Sequence, residues 1–221
     1  KTYYYTIKAI NKLGESKPSS ELSACAGLPN LWQQGDVGKV NIPGYSLFDG
    51  NKFTLEGEGH DIDGTRDSFH YAYKAINGDC TITTRIIRPM SSQWTKPGVM
   101  LRKNLDHDSA HSSLLLLPHW NGALVTRKSK GAETQTIGLT HLGESHIIKK
   151  NRLSTPYWVK ISRIGETVRG FMSPDGESWQ KLGEVQIDLG KDYLVGLPAC
   201  SQLNKVATRV TYDNVQIVQK K

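Results

Sequence analysis

Glu56 and Glu58 stand two apart in Leu55-Glu56-Gly57-Glu58-Gly59. On a strand that spacing puts both carboxylates on one face about 7 Å apart, a separation that a glycosidase pair could use. The glycines fall on the opposite face, where a catalytic strand would need apolar packing to hold its acids. The segment therefore reads as a polar strand near a loop, with a glycoside hydrolase or lyase using Glu56 and Glu58 as the alternative. Asp61, Asp63, Asp67 and Asp79 crowd the turn-rich stretch that follows, and Asp213 comes near them if the last strand pairs with the early ones. Oxygen ligands from loops hold calcium, so Asp61, Asp67, Asp79 and Asp213 are candidate ligands of a structural Ca2+ ion. Their spacing is not that of an EF-hand loop, and the competing reading has them bonding turn amides.

Sugars are recognised by aromatic faces that stack on a pyranose and by planar polar side chains that bond pairs of hydroxyls. Trp120, in Pro118-His119-Trp120-Asn121-Gly122, sits at the tip of an expected hairpin and is the best platform; Trp94 stands in a second loop. Trp32 is assigned to packing. Strand parity supplies polar partners. If Val99 and Leu101 point into a core, Met100 and Arg102 point away; Leu114 and Leu116 likewise leave His111 and Ser113 outside, and Leu124 and Thr126 leave Arg127 outside. In a three-stranded meander Arg102, His111 and Arg127 then share an outer face beside Trp120, and His70, opposite in parity to Phe69 and Tyr71, joins them. Guanidinium forks favour carboxylates, so such a face suits an acidic glycan. The competing reading is a solvated face with ordinary charges.

The elements that would position these groups are strands. Turn signals recur at Asp49-Gly50-Asn51, Asn77-Gly78-Asp79, Asn121-Gly122, Gly165-Glu166, Pro174-Asp175-Gly176 and Gly190-Lys191. Alternating segments lie between them, among them 81–87, 98–102, 111–117, 123–128, 157–164, 167–172, 193–199 and 207–218. No stretch has helical period and length. The pattern predicts an all-β antiparallel sandwich of the jelly-roll type over residues 28–221. In Ser173-Pro174-Asp175-Gly176-Glu177-Ser178-Trp179 the aspartate and glycine make a tight turn that Trp179 is expected to cover.

Two resemblances follow from these segments. TYYYTIKAINKLGESKPSS, in residues 1–27, resembles the last two strands of a fibronectin type III module. FTLEGEGHDIDGTRDSFHYAYKAINGDCTITTRI, WTKPGVMLRKNLDHDSAHSSLL, TPYWVKISRIGETVRGFMSPDGESWQKLG and TRVTYDNVQI together resemble the concanavalin A-like (LamG/jelly-roll) accessory modules of secreted bacterial glycoside hydrolases. Asp63 stands where that family usually has tryptophan. The resemblance implies a carbohydrate-binding accessory fold, usually without catalysis, in a multimodular parent; fold alone does not decide, because glycanases share it.

Composition narrows the field. The 221 residues are 37% hydrophobic and 22% charged, with 28 Lys and Arg against 21 Asp and Glu, for a net charge of +7. An anionic partner fits, but the basic residues are scattered and not interleaved with aromatics, which argues against nucleic acid. The longest apolar run, Leu114 to Leu117, is far below the ~20 residues of a membrane span. Cys25, Cys80 and Cys200 lack zinc-site spacing and allow at most one disulfide. The expectation is a secreted, periplasmic or surface-bound bacterial module that holds a parent enzyme near polysaccharide, with neighbouring modules as further partners. The remaining alternative is a spacer that packs on a catalytic domain.

Overall fold

The computed structural model describes residues 2–25, 27–89, 94–117, 121–140 and 156–219. All its strands pair antiparallel. Numbered along the chain, the first four are β1 (Thr2–Tyr5), β2 (Ile10–Asn11), β3 (Gly14–Glu15) and β4 (Leu22–Cys25), which form two separate ribbons, β1 with β4 and β2 with β3. Neither ribbon joins a larger sheet.

The remainder is a two-layer sandwich. The front sheet contains β5 (Trp32–Val37), β10 (Phe69–Asn77), β12 (Gly98–Arg102), β13 (His111–Leu117), β14 (Asn121–Arg127), β15 (Gln135–Thr140) and β19 (Asp192–Ala199), in the order β15-β14-β13-β12-β19-β10-β5. The back sheet contains β6 (Tyr45–Phe48), β7 (Lys52–Gly57), β11 (Cys80–Pro89), β16 (Tyr157–Ile164), β17 (Thr167–Ser173), β18 (Gln180–Gln186) and β20 (Thr208–Gln219), in the order β18-β17-β16-β11-β20-β7-β6. A small ribbon of β8 (Ile62–Asp63) and β9 (Arg66–Asp67) lies in the connection before β10.

Period-two alternation builds the core. Phe53 and Leu55 of β7, Ile82 and Ile86 of β11, and Val159 and Ile161 of β16 face Val99 and Leu101 of β12 and Leu114 and Leu116 of β13. Each such side chain, fully buried, contributes on the order of 1.5–3 kcal/mol. The back sheet keeps the alternating pattern because its other face is open, as in the buried and half-buried succession along β16. The front sheet does not: every residue of β12 is buried. Its outer face carries a second apolar cluster, in which Tyr71, Met100, Leu115 and Val125 meet Val37, Ile62, Phe69 and Cys200. The solvated outer face expected from parity is thus corrected to a covered one, and a strand covered on both sides has no reason to alternate.

The sheets are fastened along one edge, where β5 of the front sheet runs beside β6 of the back. Phe69 and Tyr71 point into the outer cluster, so His70 points the other way, between the layers. His70 Nδ1 lies 2.8 Å from Asp36 Oδ1 and its Nε2 lies 2.9 Å from Ser46 Oγ. A carboxylate only accepts, so Nδ1 carries the proton and Nε2 accepts from the serine hydroxyl. Burial pushes the His70 pKa below its ordinary value against the opposing pull of Asp36, which keeps the ring neutral. The Ser–His–Asp order matches a nucleophilic relay, but Ser46 and His70 are 2% and 1% exposed, so no substrate reaches them. Gln34 completes the fastening by accepting from the Ser46 amide and donating to the Ser46 carbonyl. His70 therefore does not join Arg102, as parity taken from Phe69 and Tyr71 as core residues had implied.

Elsewhere the turn at 173–178 is tied by Ser173 and by Asp175, which accepts from the amides of Glu177 and Ser178. The indole beneath it is Trp158, against which Gly176 packs at φ +84°; Trp179 instead has Lys160 Nζ 3.7 Å from its ring centre. Cys80 and Cys200 are buried thiols, not a disulfide. Burial raises the Cys200 pKa to about 12. Among the described residues no helix is long and apolar enough to cross a membrane.

The fastening gives a paired stability test. A Cβ on Gly57 would lie 2.3 Å from the Ala199 carbonyl and 2.7 Å from His70 Cβ, whereas one on Gly35 meets nothing within 4 Å. Urea unfolding should show Gly57→Ala losing about 1–3 kcal/mol and Gly35→Ala changing by less than about 0.5 kcal/mol.

Candidate functional site

The hairpins joining β12, β13 and β14 set Arg102 opposite His111 and His111 opposite Arg127. The expected row of three basic residues on one face of a meander is therefore present. Its expected exposure is not: all three are 0% exposed. The ribbon of β8 and β9 lies over them and brings Asp67 into their midst. Arg127 donates to Asp67 Oδ1 and Oδ2 at 2.7 and 2.8 Å, and Arg102 donates to Oδ2 at 3.0 Å. The remaining guanidinium protons are spent on loop carbonyls. Arg102 reaches Asn104 and Asp106, while Arg127 reaches Asp63, Gly64, Ser109 and Ala132. One carboxylate and two forks thus pin the 61–67, 103–110 and 128–134 segments together.

The charges in this cluster act on one another. Burial raises the Asp67 pKa, but the charge of His111 when protonated, the hydrogen bonds of Arg127 and the charges of both arginines outweigh it and hold the carboxyl below its ordinary value. His111 is pushed down to about 3, chiefly by burial and further by the two guanidiniums, with Asp67 opposing. At neutral pH the imidazole is uncharged. Its Nδ1 lies 2.9 Å from Ser113 Oγ, and its Nε2, 3.9 Å from Asp67, has no hydrogen-bond partner.

Above this foundation the same loops frame an open pocket of about 470 Å³. Lys103, Lys128 and Lys130 line it with Asn104, Ser129 and two acids, Asp106 and Asp188, so the lysines outnumber the carboxylates by one. Lys130 is held by Asp106 at 2.9 Å. Lys103 and Lys128 are exposed and make no ion pair among the described residues. The loop backbones are fixed by bonds from Lys103 N to Ala110 O, Asn104 N to Ser109 Oγ and Gly131 N to Asp108 O. Two free ammonium groups, a carboxamide and a hydroxyl on a braced rim suit an anionic, hydroxyl-rich ligand. Each lysine directly follows a parity-assigned arginine or lies near it, so the sequence pointed to this strand end one residue short of the exposed groups.

The other candidates fall elsewhere. Trp94 is 46% exposed, in the loop that enters β12 from the end opposite Lys103, and does not line the pocket. Trp120 lies outside the described residues. The four aspartates do not converge, and the described residues hold no group of three or more His, Cys, Asp or Glu able to bind a metal. Asp61 pairs with Lys96 and Gln202, Asp79 accepts from Gly165 N, and Asp213 pairs with Arg85, while Asp67 holds its two arginines. The assignment of Asp61, Asp67, Asp79 and Asp213 to calcium is corrected accordingly, because side-chain cations and amide donors already occupy these carboxylates. Glu56 faces outward and pairs with Arg209. Glu58 lies beyond the end of β7, only 2% exposed, accepting from Asn41, Ile42 N and Lys205 N. Burial raises its pKa, yet those bonds outweigh it and bring it down to about 2, the reverse of what a general acid needs.

Two measurements address the Asp67 cluster. Asp67→Asn should lower unfolding stability by about 3–5 kcal/mol, because two buried guanidiniums lose their counter-charge. His111 has a depressed pKa in the folded state, so its stabilising effect is complete above about pH 6.5 and is lost as pH falls toward 3. The urea midpoint should decline between pH 7 and 4, and His111→Asn should flatten that decline.

No protein-family model matches the sequence, and no curated protein matches it. Solved structures do match. A functionally unknown protein from Saccharomyces cerevisiae aligns at TM-score 0.63 and 16% identity over 86% of this chain and 97% of its own. The carbohydrate-binding module CBM66 from Bacillus subtilis aligns at 0.53 and 14% over 86% and 96%. The GH43 protein BlXynB from Bacillus licheniformis aligns at 0.59 and 10%, with 96% of this chain spanning 46% of that larger one. At these identities the likeness is one of fold: an all-β antiparallel sandwich used by carbohydrate-binding modules and by domains of glycoside hydrolases.

Proposed function

We propose that this chain is a non-catalytic carbohydrate-binding module of a secreted, multimodular glycan-degrading protein, and that it takes an acidic polysaccharide in the Lys103–Lys128–Lys130 pocket. The pocket carries the reading: free ammonium groups stand on loops braced by the buried Arg102–Asp67–Arg127 cluster. Uronate carboxylates meet the lysines, while Asn104 and Ser129 are placed for ring hydroxyls. The sandwich likeness to a carbohydrate-binding module and to a GH43 protein supports the class. The state of Glu56 and Glu58, one paired with arginine and one saturated by amides, favours capture over hydrolysis.

Capture of this kind is weak at each site, since an open pocket buries little of the ligand, and it works by keeping a tethered catalytic partner close to substrate. Residues 1–27 fit the tail of a fibronectin-like neighbour. Ile10 of β2 is 73% exposed, and Ile7 and Leu13 in the connections on either side of it are 67% and 96% exposed.

Calorimetric titration with oligogalacturonate should detect binding that the double variant Lys103→Ala/Lys128→Ala weakens by about tenfold, two exposed charge contacts together supplying roughly 1–1.5 kcal/mol. Raising the salt to 0.5 M should act in the same direction. An unchanged double variant, or oligogalacturonate binding indifferent to salt, would remove the acidic-glycan assignment.

A further inference from the structure

A second pocket, of about 360 Å³, opens at the fastened edge of the sandwich. Its apolar wall is Trp32, at the start of β5, with Phe48 and Phe53, which flank the turn between β6 and β7. The rings pack against one another: Trp32 and Phe53 have centroids 4.6 Å apart, and Phe48 and Phe53 4.7 Å. Phe53 is buried, while Trp32 and Phe48 are only partly so and keep an edge toward the opening. Asn51, Asn214, Val215 and Gln216 complete the lining; the Asn214 side chain is bonded to Asp213, so Asn51 and Gln216 supply the carboxamides at the rim.

A break in the sheet puts those amides there. β7 pairs with β20 as far as Lys52 and Asp213. Along its other side β20 pairs Asp213 with Arg85 and Gln216 with Thr83, so one residue of β11 opposes two of β20. Asn214 in this bulge takes the left-handed φ of +50°. Bulges re-aim side chains and end pairing, and here, past the last β7 pair, Val215 packs on the core cluster that Trp32 and Phe48 join, which leaves Asn214 and Gln216 exposed at the pocket rim. Among the described residues no charged side chain lines the pocket.

We infer that this pocket is a saccharide subsite of its own, selective for an uncharged pyranose or furanose unit. An aromatic wall offers a face to the C–H surface of a sugar ring, and carboxamides give and accept hydrogen bonds with neighbouring hydroxyls. With neither ammonium nor guanidinium in the lining, a uronate gains nothing here. The subsite is independent of the lysine pocket: three strand spacings separate β12, which leads to Lys103, from β5, which begins at Trp32.

Xylohexaose, cellohexaose and laminarihexaose as neutral probes, and oligogalacturonate as the acidic one, test this by isotope-edited NMR titration of the whole chain. A neutral probe should shift the Trp32 indole and the Asn51 and Gln216 side-chain amides. Asn51→Ala/Gln216→Ala, which alters exposed groups only, should weaken that binding at least fivefold while leaving the oligogalacturonate response intact. Lys103→Ala/Lys128→Ala should do the converse. Trp32→Phe should retain the fold and weaken neutral binding. If no neutral probe moves these signals at millimolar concentration, or if the Asn51→Ala/Gln216→Ala variant binds like the parent, the subsite does not exist, whatever becomes of the lysine pocket.

Discussion

Asp67 is the residue on which one end of this molecule depends. A lone carboxylate inside an apolar cluster would take up a proton, and two guanidiniums there would repel one another. Together they form a charge-bearing knot whose outward hydrogen bonds end on loop carbonyls. Those carbonyls belong to three connections far apart in sequence. The pocket lined by Lys103, Lys128 and Lys130 inherits its shape from that knot, since its rim is the outer surface of the same loops. Groups that could bind an anion are thus divided between two layers, with the inner one committed to architecture and the outer one left available.

Much of this arrangement was legible in the sequence. Alternation placed Val99, Leu101, Leu114, Leu116 and Leu124 in the core and set Arg102, His111 and Arg127 in one row, because side-chain parity is a local property of a strand. Coverage is not local. Whether a face meets water depends on what lies over it, and the lid on this row comes from the β8–β9 ribbon, far earlier in the chain. The same limit explains His70. Phe69 and Tyr71 look like core residues in any reading of the chain, yet their core is the outer cluster, which inverts the direction assigned to their neighbour.

The aspartates illustrate a different limit. Their density suggested a cation, and cations are indeed what three of them hold, but these are the side chains of Lys96, Arg85, Arg102 and Arg127. A basic chain supplies its own counter-ions, and nothing in the spacing of the acids reveals which lysine or arginine will arrive. The seam pocket was invisible for the opposite reason. Gln216 is separated from Trp32 and Asn51 by most of the chain, and β20, with a bulge that no residue type announces, brings it to them.

The Gln34 carboxamide has a role beyond fastening two layers. β6 is the last strand of its sheet, and a bare sheet margin invites backbone pairing with other molecules. By bonding both the N–H and the C=O of Ser46, Gln34 imitates a neighbouring strand and occupies the middle of that margin. Copies of the chain that met edge to edge would find fewer open backbone groups there through which to aggregate.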